Sequence, residues 1–233
     1  MNCPTCDRPM SVQGHYWFCG QHDPPAFFPA GEEVAGAAEV EWLADVADAY
    51  PFPIACAYRR LRDDVLSHRD DHDALRQLIL VKDCVETLVK YLALVVLAAR
   101  LDRGERDDAL DGKVLEALVA PALGTWAQYV LKPLVDADTT RADGRLAPLV
   151  AFASKKFFGR VADFTSVRNA VLGHGLARAP REDRDDVNAW LPWLNDQLAG
   201  ARFLAQWELV QAAGPPRSWM GADALTRPRP PAA

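Results

Sequence analysis

The chain has 233 residues, 50% of them hydrophobic and 25% charged, which is ordinary for a soluble globular protein with one good core and a small extra module. Its formal net charge of −6 argues against a large sequence-independent nucleic-acid surface, while leaving room for a small basic cleft. The first residues lack the basic-then-apolar layout of a signal peptide, and the longest apolar run, 91–99, is about half of the roughly 20 residues a membrane span needs. A cytoplasmic protein without a membrane segment is expected, its cysteines reduced or metal-bound.

Residues 1–23 carry Cys3-x2-Cys6-x12-Cys19-x2-His22. Ligands at i and i+3 of a tight turn aim two side chains at one ion, and two such turns close a tetrahedral zinc site. A disulfide or unligated thiols are the alternatives, and a reducing compartment argues against the first. His15 is a substitute for His22 as fourth ligand, although the symmetric spacing favours His22. The segment looks like a zinc ribbon or knuckle with Tyr16, Trp17 and Phe18 in its loop, one structural ion supplying its folding free energy. Residues 24–36 have the Pro, Gly and Ala content of a linker.

Helical spacing begins at 37. Val40, Leu43, Ala44 and Ala47 predict one helix, ended by Tyr50-Pro51-Phe52-Pro53. A second, from about Ile54, places Tyr58, Leu61, Val65 and Leu66 inward and Arg59, Arg60, Arg62, Asp63 and Asp64 outward. His68 and His72 stand at i and i+4 in a densely charged stretch, which reads as a solvated face rather than a second metal site. Residues 74–101 form the longest periodic segment, with Leu75, Leu78, Ile79, Val85, Leu88, Val89, Leu92 and Val96 in a wide stripe. It is expected at the centre of a bundle. Lys82, Glu86 and Lys90 fall at successive i,i+4 positions and can pair, with Asp83 beside them.

After a charged loop at 102–112, residues 114–134 resume the helical pattern through Trp126 and Tyr129, with a break near Pro121 and Gly124. A polar loop at 136–145 leads into 146–172, a helix or pair of helices with Phe152, Phe157, Phe158, Val161, Phe164 and Val167 inward. Lys155, Lys156 and Arg160 lie on this segment and, with Arg168, form the only basic cluster near the histidine that follows, a candidate nucleic-acid contact. Residues 177–186 read as a charged loop. Residues 187–214 read as the last helix, with Pro192 in its first turn, and 215–233 as a Pro- and Ala-rich tail. With no strand alternation, Gly-rich phosphate loop or repeat, the fold expected for 37–214 is all-α, an up-and-down helical bundle of four or more helices.

The stretch 164–175 concentrates the chemistry. It presents Arg168 and Asn169, breaks at Gly173, and leaves His174 between two glycines. Arg is a permanently charged fork suited to phosphate, and His trades protons near neutral pH. RNA cleavage without metal needs a base for the ribose 2′-hydroxyl, a cation for the phosphorane and an acid for the leaving oxygen. His174 can serve as base or acid, Arg168 as the phosphate clamp, and Asn169 as orienter of the phosphate or the imidazole. The competing account is a helix C-terminus, with Gly173 as left-handed cap, His174 at the negative end of the dipole and Arg168 paired with an acid across the bundle.

Arg168-Asn169 followed by His174 resembles the R-x(4–6)-H signature of the HEPN superfamily, helical domains whose dimers often cleave RNA. The resemblance covers about 74–175. It implies a homodimer in which the arginines and histidines of both copies meet in one cleft, with an acidic residue such as Asp83 or Glu86 lining it as an auxiliary group. The activity it implies is metal-independent endoribonuclease cleavage of single-stranded RNA, as in a toxin or anti-phage defence effector. The alternative is a non-catalytic dimerisation or interaction module that regulates a protein partner.

Overall fold

The structure is a computed structural model. It describes residues 3, 6, 8–9, 11–13, 16–21, 26–29, 40–68, 71–119, 122–138, 146–173, 179–209 and 226–228. The chain divides into two compact units, Met1–Ala38 and Glu39–Ala233, and the described residues as a whole are mostly helical.

The N-terminal unit is built on three antiparallel strands in sequential order: β1 (Ser11–Gln13), β2 (Tyr16–Cys19) and β3 (Ala26–Pro29). Register pairs Trp17 with Val12 on one side and with Phe28 on the other. Aromatic and β-branched residues favour such ladders. Tyr16, Trp17 and Phe18 thus lie on a strand where a loop was expected, and part of the expected linker is a strand. Three-residue strands are too short for alternation to be visible in sequence.

In the second unit, α1 is confined to Ala44–Ala49, seven residues later than the spacing implied. Next, α2 (Phe52–Ser67) starts two residues early because Pro53 sits in its first turn, where a missing N–H costs nothing. Its inward face carries Tyr58, Leu61 and Val65 as expected, and Ile54 with them, but Leu66 is exposed. A 3-10 turn, Asp71–Asp73, separates α2 from α3 (Ala74–Asp102), the hub of the bundle. His68 and His72 are therefore not on one helix, and Asp64 and Asp73 pair with Arg76 instead.

On one side of α3 lies α2; on others lie α8 (Pro180–Gly200) and a π-helix, Thr125–Leu131. Leu78, Val85, Leu88, Val89, Leu92 and Val96 are buried, whereas Leu75 and Ile79 face out. Helix α4 (Asp108–Val119) begins inside the stretch expected to be a loop, with the Asp107 carboxylate accepting from the N–H groups of Ala109 and Leu110. The expected break follows α4, and the π-helix leads into α5 (Lys132–Asp138). Then come α6 (Ala147–Phe152) and α7 (Lys155–Arg168), the latter N-capped by Ser154, whose hydroxyl accepts from Phe157 N–H.

The last helix differs most from its expectation. Pro180 occupies its first turn and the Glu182 carboxylate accepts from Ala179 N–H, so α8 starts in the charged run 177–186. Pro192 lies in its interior, and it ends at Gly200, followed by a 3-10 turn (Arg202–Gln206). Residues 207–209 form a strand, β4 (Trp207–Leu209), paired with β5 (Thr226–Pro228) from the expected tail. Early in α8, Arg184 is only 1% exposed; its Nη1 donates to Gln77 at 2.6 Å and its Nε faces Asp71 at 3.3 Å.

Tyr58, fully buried, ties three segments: its hydroxyl accepts from Leu43 N–H at 2.9 Å and donates to Asn195 Oδ1 at 3.1 Å. Tyr58→Phe keeps the ring and strands both partners, so a loss of about 1–3 kcal/mol is expected in urea unfolding. An unchanged midpoint would mean these bonds contribute nothing net.

Candidate functional site

Arg168 is the last residue of α7, and the winding continues from it as a second π-helix, Asn169–Gly173. The helical path thus runs to Gly173, and Arg168 and Asn169 straddle the change of pitch. Inserted π-turns are frequent at functional sites because the wider turn re-aims side chains. Arg168 Nη1 donates to Asn169 Oδ1 at 2.8 Å. Arg168 Nε is buried and has no hydrogen-bond partner among the described residues. Among these residues Arg168 also pairs with no carboxylate, so the cross-bundle ion pair of the competing account is not found in them. His174 and Gly175 lie outside the described residues.

What holds α7 in place is aromatic. Phe164, fully buried, puts its ring centroid 5.0 Å from that of Trp190 and 6.1 Å from that of Trp193. Gly124 lets the first π-helix approach closely: a Cβ there would meet Thr165 Cγ2 at 3.3 Å.

The remaining basic candidates lie along the same helix at different distances from Arg168. Lys155 and Arg168 are about 20 Å apart along α7 and about 140° apart around it. Lys155 and Lys156 are exposed at the start of the helix. Arg160 stacks over the Trp190 ring at 4.6 Å and pairs with Asp163 at 3.7 Å. Its guanidinium is therefore partly committed to packing.

Asp83 and Glu86 line a groove of about 420 Å³ between α2 and α3, with Phe52, Cys56, Arg60 and Lys90. Among the described residues, none from α7 lines it. Lys82 contacts Asp83 at 2.7 Å and Glu86 at 3.2 Å, and Lys90 contacts Glu86 at 2.6 Å, the i,i+4 chain the spacing predicts. Burial would raise the Glu86 carboxyl, but Lys90 and Lys82 outweigh it and hold the group below its ordinary range. Such a carboxylate stays ionised at neutral pH and is a poor proton donor.

In the N-terminal unit, the sulfurs of Cys3, Cys6 and Cys19 lie within 4.8 Å of one another. Cys6 and Cys19 are 3.6 Å apart, close to the ~3.8 Å separating two sulfurs on a tetrahedral ion at 2.3 Å. Cys3 N–H donates to Arg8 O at 2.8 Å, closing the turn that carries the first pair. The Cys6 thiol is pulled down by the backbone of Arg8, yet burial and the thiols of Cys19 and Cys3 leave it raised. A cation reverses that balance, since it stabilises all three thiolates at once. The cluster is compatible with a metal site. His15 and His22 lie outside the described residues.

No family model, curated protein or solved structure matches the chain. Among the described residues no helix is long and apolar enough to cross a membrane.

The wide turn at 169–173 was not legible in the sequence, because π- and α-winding share one hydrophobic spacing over five residues. The Arg184–Gln77–Asp71 group was hidden for another reason: a charged run normally marks solvent.

Proposed function

We propose that the chain is a HEPN-like endoribonuclease that cleaves single-stranded RNA without metal chemistry, as a toxin or defence effector would. One observation supports this best: the half-buried Arg168 guanidinium stands at an α-to-π junction, bonded through one nitrogen to Asn169, with no carboxylate on it among the described residues. Such a fork has donors to spare for a phosphate. In this reading His174 takes the 2′-hydroxyl proton, the 2′-oxygen attacks phosphorus, and the P–O5′ bond breaks. The products are a 2′,3′-cyclic phosphate and a 5′-hydroxyl, with the proton delivered to the leaving oxygen. Arg168 and Asn169 carry the developing charge, and two copies of the chain share the cleft. Asp83 and Glu86, lying in the α2–α3 groove and ion-paired there, are assigned to structure rather than proton transfer.

The N-terminal cluster is proposed as one structural zinc on Cys3, Cys6, Cys19 and His22, four protein ligands leaving no position for water. A second reading, a non-catalytic interaction module, is favoured by exposed Leu75, Leu94 and Leu101 on α3.

The test is cleavage of a single-stranded RNA oligonucleotide in buffer without added magnesium. Arg168→Ala and His174→Ala are each expected to lose about two to three orders of magnitude in rate with unchanged circular dichroism. Variants that cleave like wild type would assign the activity to a contaminant. No cleavage by wild type leaves the interaction module.

A further inference from the structure

No two of the chain's five cysteines are joined by a disulfide, yet three of them meet in one place. Cys3 and Cys19 are each only 1% exposed, whereas Cys6 is partly open to solvent. Cys19 ends β2, the middle strand of its sheet, and is paired there with Ala26. Its sulfur stands 3.6 Å from that of Cys6, 13 positions away in sequence. A disulfide between them needs the two sulfurs to approach by only about 1.5 Å, within reach of side-chain rotation. Cys56, on α2, and buried Cys84, on α3, belong to the helical unit and are not in this group. The cluster therefore holds one thiol that an oxidant can reach and, against it, a second that is shielded.

We propose that Cys6 and Cys19 form a peroxide-responsive pair, Cys6 as the thiol that is oxidised first and Cys19 as the one that resolves it. The Cys6 sulfur attacks one oxygen of hydrogen peroxide and the O–O bond breaks. The departing hydroxide takes the thiol proton and leaves as water. The Cys19 sulfur then attacks the resulting sulfenic sulfur; the S–O bond breaks, the S–S bond forms, and the Cys19 proton leaves with the hydroxide as a second water. Two thiols lose two electrons in all, and one peroxide is reduced to two waters. Cys3 stays a thiol. A Cys3–Cys6 bond would close within one turn, whereas the Cys6–Cys19 bond fastens that turn to the middle strand. Where a cation is held by the three sulfurs, the same bond withdraws two of its ligands and lets it go. The unit thus has two alternative staples, one reduced and one oxidised. The pair rests on the sulfur geometry rather than on the nuclease reading, and it holds with or without the metal.

Peptide mapping of the full wild-type chain after a modest molar excess of hydrogen peroxide tests it, with the remaining thiols alkylated under denaturant. The expected product is a Cys6–Cys19 crosslink within one chain, with Cys3, Cys56 and Cys84 alkylated. Two of the five thiols are then lost, and dithiothreitol restores them. Dimedone present during the oxidation is expected to label Cys6 and neither Cys3 nor Cys19. In protein purified with zinc, a chelating dye should record about one equivalent released in step with the crosslink. A crosslink through Cys3, label on Cys19 or a link between chains overturns the pair. So do sulfinic or sulfonic products without a crosslink, and so does the survival of all five thiols. Crosslinking in protein that carries no metal keeps the pair and removes the zinc site; bound zinc with Cys6 and Cys19 still reduced does the reverse.

Discussion

Chelation is expected to unfold the N-terminal unit and leave the helical unit standing. Met1–Ala38 is below the roughly 40 residues at which a chain builds a sufficient core unaided, and its described strands are three or four residues long. In the proposed site, zinc on three thiolates and an imidazole would contribute about 10–16 kcal/mol to such a module, far more than its sheet can. Metal analysis should find one zinc per chain, and Cys6→Ser or Cys19→Ser should lose it. After chelation, limited proteolysis should cut within 1–38 while the far-UV helical signal persists. Protein that purifies without metal and resists proteolysis equally with and without chelator would refute the site.

Phe164→Ala is expected to be the most damaging single truncation in the helical unit, at about 3–5 kcal/mol. The ring is fully buried and lies edge-on to Trp190 and stacked near Trp193. Large fixed rings cannot collapse into the space it leaves, so the cavity term adds to the transfer term. Arg160, exposed and stacked over the Trp190 ring at 4.6 Å, ties the disturbance to the surface. Phe164→Leu fills much of the volume and should cost about half as much or less. Denaturant midpoints measure both. A loss under about 1 kcal/mol for the alanine variant would show that α7 is held by something other than this aromatic cluster.

The long, strongly patterned segments were legible. Residues 74–101 were read as the central helix, and α3 spans Ala74–Asp102. The inward phenylalanines of 146–172 occupy α6 and α7. What escaped was set by chemistry that one-dimensional periodicity does not weigh. Pro180 reads as a breaker until it is recognised as a first-turn residue followed by Glu182 and Asp183, which suit a helix start. Leu75 and Ile79 fit the hydrophobic stripe but sit at its edge, where they are exposed. That Cys3, Cys6 and Cys19 gather was readable from spacing alone, because such spacing follows turn geometry and not a core. The basic cluster was read from nearness in sequence, and helical rise and rotation set Lys155 apart from Arg168 while leaving Lys156 and Arg160 one turn apart on one face.

Gly124 has a role that reaches beyond its own turn. A methyl group at that position would press Thr165 aside by a few tenths of an ångström, and Thr165 stands one helical turn before Arg168. Exchanging this glycine for alanine is thus a lever on the guanidinium's aim that leaves every polar atom of the junction chemically intact.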